Sequence, residues 1–242
     1  MLRTFTATVI VLLTCSINVL AQSESQEDLL TQIEAKRADL AVLENRILSP
    51  SGEDKAAFAE LLKQENTGLI RLLPREKYDE TPNKMTLTVR GGGAYYSFDR
   101  LTHAYGYGAD IELQQGYLSV GFAGCDYGII SKVGLVSLDE LSVAHPSAFF
   151  FAAYKAAATE PQARVEQRRF GSGDTIEGVK YSGRVKAEVG MTYVLRSISY
   201  DQSDLLVALQ VIRQDTDDSL IIAWKLLQKF PKPALARNIA AQ

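Results

Sequence analysis

Residues 204–214 read DLLVALQVIRQ, and this stretch decides the fold because both of its alternating faces are apolar. In an extended strand successive side chains point to opposite faces, so Leu205 and Val207 would share one face and Leu206 and Ala208 the other. A sheet with one face in water would show one polar face instead. The stretch therefore predicts a strand covered on both faces, with helices on one side and a core on the other.

Neighbouring runs have the same strand-like character and are separated by short turn sequences. Gly190, Asp201-Gln202-Ser203 and the acidic turn 215–218 lie between them. Turns this short favour pairing between consecutive antiparallel strands. We predict an antiparallel meander of four strands over 184–189, 191–200, 204–214 and 220–230.

Upstream of the meander, alternating apolar and polar residues predict further strands over 85–89, 109–113 and 117–121. Gln114-Gln115-Gly116 joins the last two closely enough for a hairpin. Between Pro146 and Phe170 the pattern becomes helical, with Thr159 as a cap residue and Pro161 early in the helix. The sequence thus predicts an α+β fold whose main domain, 81–242, is a mostly antiparallel curved sheet with a covering helix.

The segment 22–80 has a different pattern. Apolar residues recur at spacings of three and four, which indicates an amphipathic helix with one apolar stripe made by Leu29, Ile33, Leu40, Leu43 and Ile47. A second helix is predicted after Pro50, so the two would form a helical hairpin or short coiled coil, or the first would pack along the domain or act as a tether. The prolines and charges in 68–84 favour a linker.

The first 21 residues have the features of a signal peptide. Arg3 precedes an apolar run at 9–13, and the small-residue end at 19–21 provides a cleavage site. Scattered polar residues and the lack of a following basic cluster argue against a membrane span that persists after signal cleavage. Lipid anchoring at Cys15 is an alternative. The sequence therefore predicts an exported protein, periplasmic or extracellular.

The charge balance excludes one class of partner. The chain has 26 basic and 29 acidic residues and a formal net charge of −3. A broad nucleic-acid surface requires an excess of basic residues that can neutralise phosphates. We therefore expect a protein partner or an extracellular ligand and no nucleic acid, with self-association through residues 24–48 as one form of partnership.

Residues 89–128 are rich in glycine and tyrosine, which poses a choice between a binding site and a scaffold. A phosphate cradle needs a glycine loop that opens onto a helix N-terminus, whereas these glycines lie between strands. Glycine in strands permits bends and close aromatic packing, so the scaffold interpretation is favoured. The functional alternative is a ligand groove lined by Tyr95, Tyr96, His103, Tyr105 and Tyr107.

An enzyme is the rival class of function. His103 with Asp110 or Glu112 could form an acid-base pair, and Cys125 could act as a nucleophile in a hydrolase. The sequence has no metal-ligand spacing, so no metal or cofactor is expected. With no catalytic motif present, the sequence favours a non-enzymatic binding or assembly module.

Overall fold

A computed structural model of the protein describes residues 25–79, 91–103, 108–122 and 124–236. It combines helices with antiparallel sheets, which confirms the α+β class. The predicted signal peptide (1–21), including Cys15, and the strand predicted over 85–89 lie outside the described residues.

The elements are numbered in chain order within these ranges. The helices are α1 (Gln26–Leu48), α2 (Gly52–Ala57), α3 (Ala59–Leu62), α4 (Arg75–Asp79), α5 (Pro146–Ala153) and α6 (Glu160–Ser172). The strands are β1 (Thr67–Leu72), β2 (Tyr95–Tyr96), β3 (Ile111–Gln114), β4 (Tyr117–Ser119), β5 (Tyr127–Gly134), β6 (Asp174–Ile176), β7 (Val179–Tyr181), β8 (Arg184–Lys186), β9 (Thr192–Ser199), β10 (Ser203–Gln214) and β11 (Leu220–Lys229).

The chain divides into two units at the boundary between Asp39 and Leu40. In the first unit the described residues, 25–39, are all exposed and belong to α1 from Gln26 onward. The helix begins with a reciprocal cap: the Asp28 N–H donates to Ser25 Oγ (3.1 Å), and Ser25 N–H donates to an Asp28 carboxylate oxygen (3.3 Å). Because these residues are exposed, local sequence determines where this helix starts.

In the second unit, α1 ends at Leu48, which is buried against Leu73. The following residues form α2 and α3 instead of one helix, because Phe58 between them leaves helical geometry (φ −105°, ψ 20°). The Asp54 carboxylate of α2 pairs with the Arg213 guanidinium of β10, which attaches this short helix to the end of a strand. The predicted helical hairpin and coiled coil are not confirmed.

Two antiparallel sheets form most of the second unit. The larger has the strand order β1-β11-β10-β9-β5, and the smaller has the order β2-β3-β4-β8. Strands β6 and β7 form a separate hairpin. The strand with two apolar faces, β10, lies at the centre of the larger sheet.

The two faces of β10 are covered by different layers. Leu205, Val207 and Leu209 belong to an apolar cluster that also contains core residues of the smaller sheet. Leu206 and Ala208 belong to a second cluster, which contains the buried phenylalanines of α5 and α6. The structure therefore confirms that both faces are covered, one by the smaller sheet and the other by helices.

Strand β1 corrects the predicted linker. The strand pairs with β11 along its whole length, from Thr67 opposite Lys225 to Leu72 opposite Leu220, and Ile70 and Leu72 are buried. The linker prediction gave weight to the prolines and charges that follow this strand and overlooked its short apolar alternation. The large sheet thus begins before the domain boundary that was predicted near residue 80.

The predicted meander is confirmed for β9, β10 and β11, which are consecutive neighbours. The fourth predicted strand, β8, pairs with β4 instead, and β5 lies beside β9. This part of the prediction was wrong because it assumed that sequence neighbours pair. Strand β9 is buried throughout, and a partner there should be apolar, whereas Arg184 and Lys186 of β8 are exposed.

A buried ion pair attaches the helical layer to the sheet. Arg196 of β9 and Asp204 of β10 are each 2% exposed and form two hydrogen bonds, Nε to Oδ1 (2.7 Å) and Nη2 to Oδ2 (2.8 Å). Arg196 Nη1 also donates to the carbonyl oxygens of Phe151 and Tyr154, at the end of α5, at 2.5 Å each. The guanidinium carbon lies 3.6 Å from the centroid of the Phe230 ring. The buried charges are therefore paired and hydrogen-bonded, as buried charges need to be.

Two glycines lie where a side chain would collide with a neighbour, Gly68 outside the glycine-rich stretch 89–128 and Gly121 within it. A Cβ atom on Gly68 in β1 would lie 2.5 Å from Trp224 Nε1, and one on Gly121 would lie 2.6 Å from the Tyr127 Cα atom. Gly121 also has a positive φ of 84°, which side chains rarely adopt. Gly68 has no positive φ, so only the lack of space beside Trp224 excludes a side chain at this position.

We expect Gly68→Ala to lower the free energy of unfolding by about 1–3 kcal/mol, because the added methyl group would collide with the buried indole of Trp224. The measurement is urea unfolding followed by far-UV circular dichroism. Gly52→Ala is the matched control, since a Cβ atom there meets nothing within 4 Å. Equal stabilities for the Gly68→Ala variant and the wild type would contradict this packing argument.

Candidate functional site

Two of the four tyrosines predicted to line a ligand groove lie among the described residues, and both are buried. Tyr95 and Tyr96 of β2 are 2% and 7% exposed. The Tyr95 hydroxyl donates to Glu112 Oε1 (2.5 Å), and the Tyr96 ring meets the His103 ring edge-on, with centroids 5.1 Å apart. Tyr105 and Tyr107 lie outside the described residues. The burial of Tyr95 and Tyr96 favours a packing role for these two rings.

His103 hydrogen-bonds to a backbone carbonyl group and not to Asp110 or Glu112, its two predicted carboxylate partners. Its Nε2 lies 2.8 Å from the Arg71 carbonyl oxygen, and burial lowers the pKa of the imidazole. A neutral ring with its proton on Nε2 donates to that carbonyl. Glu112 instead accepts hydrogen bonds from Tyr95 and from Arg75 Nη1 (2.9 Å). Among the described residues, no hydrogen bond or ion pair links His103 to Asp110 or Glu112.

Asp110 is a fully buried carboxyl group. Its Oδ2 accepts a hydrogen bond from the Phe98 N–H (2.7 Å), while Oδ1 has no partner of good hydrogen-bond geometry among the described residues. Burial raises the pKa of Asp110 to about 6, against the weaker opposing effect of the nearby Ser197 and Ser97 hydroxyls. The cost of burying its charge is thus only partly offset at neutral pH.

Cys125 has the surroundings of a structural thiol. It is half-buried at the margin of the cluster beneath the helices. Burial raises the pKa of its thiol, and the neighbouring Asp126 carboxylate raises it further. A reactive cysteine needs a lowered pKa, which nearby cations or a hydrogen-bonded histidine usually provide. No hydrogen bond between Cys125 and a histidine occurs in the part of the chain that the structure describes.

A different group of residues lines an open groove with a volume of about 720 Å³. We call this feature the basic groove and define it by Lys132 at the end of β5, Lys180 of β7, Arg184 and Lys186 of β8, and Glu188. All four basic side chains are exposed. Among the described residues that line the groove, Glu188 is the one acidic residue.

The basic side chains of the groove are mostly unpaired. Lys132 Nζ lies 3.1 Å from Glu188 Oε1. Lys180, Arg184 and Lys186 have no acidic side chain within 4.0 Å among the described residues. This local excess of positive charge occurs in a chain whose net charge is −3, so it creates a field opposite in sign to that of the protein as a whole.

An exposed aromatic ring borders the basic groove. Tyr117 of β4 is 36% exposed, and the Arg184 guanidinium carbon lies 5.0 Å from the centroid of its ring. The contact holds the guanidinium beside an apolar surface that carries a hydroxyl group. Charge and aromatic surface are therefore available side by side to one ligand.

One local feature of the sequence points to this groove. Arg184 and Lys186 are two residues apart in a strand and so lie on the same face. Lys132 and Tyr117 are distant in sequence. Tyr117 lies beside β8 through strand pairing, and the isolated bridge between Ile130 and Ser182 brings the strand of Lys132 next to it.

Metal chemistry has no candidate site in the described ranges, since they contain no group of three or more His, Cys, Asp and Glu side chains placed to hold an ion. Within the same ranges, no helix combines the length and the apolar character that crossing a membrane requires.

We expect Asp110→Asn to stabilise the protein at pH 8 and to lose most of this advantage by pH 4. The folded-state pKa of about 6 lies above the ordinary value of 3.8, so ionisation of Asp110 opposes folding as the pH rises through 6. The difference corresponds to roughly 3 kcal/mol at pH 8. Urea unfolding at both pH values measures it.

Asp54→Asn is the control of opposite sign, because the hydrogen bond from Arg213 holds the pKa of Asp54 at about 2. This substitution should destabilise the protein at pH 8 and nearly as much at pH 4, and its effect should decline only as the pH falls from 3.8 to about 2. An Asp110→Asn effect that does not change with pH would show that its carboxyl group titrates normally.

Comparison with known proteins gave no match: no family model, no curated protein and no solved structure is significantly similar to this chain. An assignment of function therefore has to rest on the geometry and charge of the described residues.

Proposed function

We propose that the protein is an exported, non-enzymatic binding module and that the basic groove holds an anionic ligand. The proposal depends on one observation: Lys180, Arg184 and Lys186 are exposed and have no acidic partner among the described residues, in a protein of negative net charge. Such a patch attracts anions, because few acidic side chains nearby oppose the attraction.

The side chains of the groove favour a ligand that carries carboxylate or phosphate groups. Arg184 presents a planar fork of N–H donors that matches both groups, and the lysines add mobile point charges. The cations come from β5, β7 and β8, so a ligand with several anionic groups would contact more of them than a single small ion. Tyr117 would cover an apolar part of the same ligand.

The enzymatic alternative has less support. A hydrolase needs a nucleophile and a base within hydrogen-bond reach of each other. His103 is bonded to a backbone carbonyl, Glu112 is held by Arg75 and Tyr95, and the pKa of Cys125 is raised. His103 and Glu112 thus have structural partners and the Cys125 thiol is not activated, which favours the binding module.

We expect the double variant Lys180→Glu/Lys186→Glu to bind polyanions at least about tenfold more weakly than the wild type, because it replaces two attractive charges with repulsive ones. Fluorescence anisotropy with labelled oligoglutamate and labelled polyphosphate, at low salt, measures the effect and separates a carboxylate preference from a phosphate preference. The wild-type affinity should also fall as salt is added.

The matched control is Lys55→Glu/Lys63→Glu, which makes the same change in net charge at exposed residues outside the groove. It should bind within about twofold of the wild type. Equal losses in both double variants would mean that only net charge matters, and no binding of either polyanion by the wild type would refute the proposal.

A second candidate function is self-association or capture of a partner protein through α1, as the sequence suggested for residues 24–48. Residues 25–43 are all exposed, and they include several large apolar side chains, namely Leu29, Leu30, Ile33, Leu40, Val42 and Leu43. Most of the stability of protein helices comes from packing of an apolar face, and an exposed apolar stripe typically marks a contact surface.

We expect the mass of the protein in sedimentation equilibrium to rise with concentration, and Ile33→Lys/Leu40→Lys to abolish the rise, because both residues lie on the apolar stripe. Val42→Lys is the control, since Val42 is 60% exposed but lies off the stripe. If the wild type keeps the mass of a monomer at high concentration, self-association is excluded. The second candidate function would then be limited to capture of a different protein.

A further inference from the structure

The outer edge of β8 presents backbone N–H groups on the side away from β4. Gly183 accepts and Ala187 donates a hydrogen bond on the β4 side of the ladder. In an antiparallel ladder, residues bonded to the partner strand alternate with residues whose N–H and C=O groups point away. The backbone groups of Arg184 and Lys186 therefore point away from β4, and both residues line the basic groove.

Both of these outward carbonyl groups are occupied by hydroxyls. Ser182 Oγ donates to the Arg184 carbonyl oxygen at 2.5 Å. The Tyr193 hydroxyl donates to the Lys186 carbonyl oxygen at 2.9 Å and accepts a hydrogen bond from the Glu188 N–H. In contrast, the outward N–H groups of Arg184 and Lys186 have no acceptor among the described residues.

This arrangement makes the edge selective for groups that accept hydrogen bonds. An ordinary free strand edge offers N–H and C=O groups in alternation, which suits another strand. Here the carbonyl oxygens, whose partial negative charge would repel an anion, already have hydrogen-bond donors. The edge therefore offers N–H groups beside the Arg184 and Lys186 side chains.

We infer that the outer edge of β8 is an oxyanion-binding edge within the basic groove, where the backbone N–H groups of Arg184 and Lys186 donate to carboxylate or phosphate oxygens of the ligand. Ser182 and Tyr193 are positioning residues that keep the adjacent carbonyl groups from opposing the anion. Two N–H groups two residues apart are about 7 Å apart, so they would bind separate oxyanions of one ligand. The inference rests on the proposed function.

The test uses the full chain with Tyr193→Phe and Ser182→Ala, titrated with the same labelled oligoglutamate and polyphosphate. Each substitution removes one hydroxyl and uncovers one carbonyl oxygen, so we expect each to weaken binding about three- to tenfold. Tyr200→Phe is the matched control, because the Tyr200 hydroxyl donates to the Ala157 carbonyl oxygen at another place in the fold. It should leave the affinity within twofold of the wild type.

The outcomes separate this inference from the proposed function. If the wild type binds neither polyanion, both are refuted. If the wild type binds and Lys180→Glu/Lys186→Glu is impaired, but Tyr193→Phe and Ser182→Ala bind within twofold of the wild type, only the oxyanion-binding edge is refuted. Circular dichroism checks that each variant is folded, and Ser182→Ala decides the question should Tyr193→Phe not fold.

Discussion

The ion pair between Arg196 and Asp204 attaches the end of α5 to the centre of the large sheet. It joins adjacent strands at the centre of the large sheet, and the same guanidinium group binds the two carbonyl oxygens at the end of α5. Removal of one partner of a buried pair typically costs 3–5 kcal/mol, because the other charge remains buried without compensation. That is a large part of the stability of an ordinary domain. The position of the helical layer therefore depends on a buried polar contact as well as on the apolar cluster that contains Phe151 and Phe170.

The basic groove follows from how the two sheets meet. An isolated bridge pairs Ile130, at the edge of the large sheet, with Ser182, which precedes the edge strand of the smaller one. Lys132 lies just beyond this bridge on one sheet, and Arg184 on the other. Charged side chains at strand edges also oppose edge-to-edge aggregation. The same residues can therefore protect the edges and attract an anionic ligand, and the hydroxyl groups on the outward carbonyls favour the second role.

Much of the strand pattern could be predicted from the sequence, and the errors have identifiable causes. The two apolar faces of β10 correctly indicated two covering layers, and Gln115 and Gly116, both with positive φ, form the predicted hairpin turn. Strand β1 was missed because its short apolar alternation is followed by prolines and charges. Strand β8 was assigned to the wrong sheet because sequence proximity does not determine pairing. The groove was missed because its cations come from three separate strands.

The sequence by itself determined where apolar and polar side chains alternate, where the chain turns and which residues can be buried. These properties depend on side chains within a few positions of each other. It also determined the net charge and the cap at the start of α1. Only the tertiary structure decided that β5 lies beside β9, that β8 forms the edge of the smaller sheet, and that four basic residues share one groove. Those outcomes depend on which distant segments bury apolar surface together and which charges have to stay in water, and neither is encoded in a local pattern.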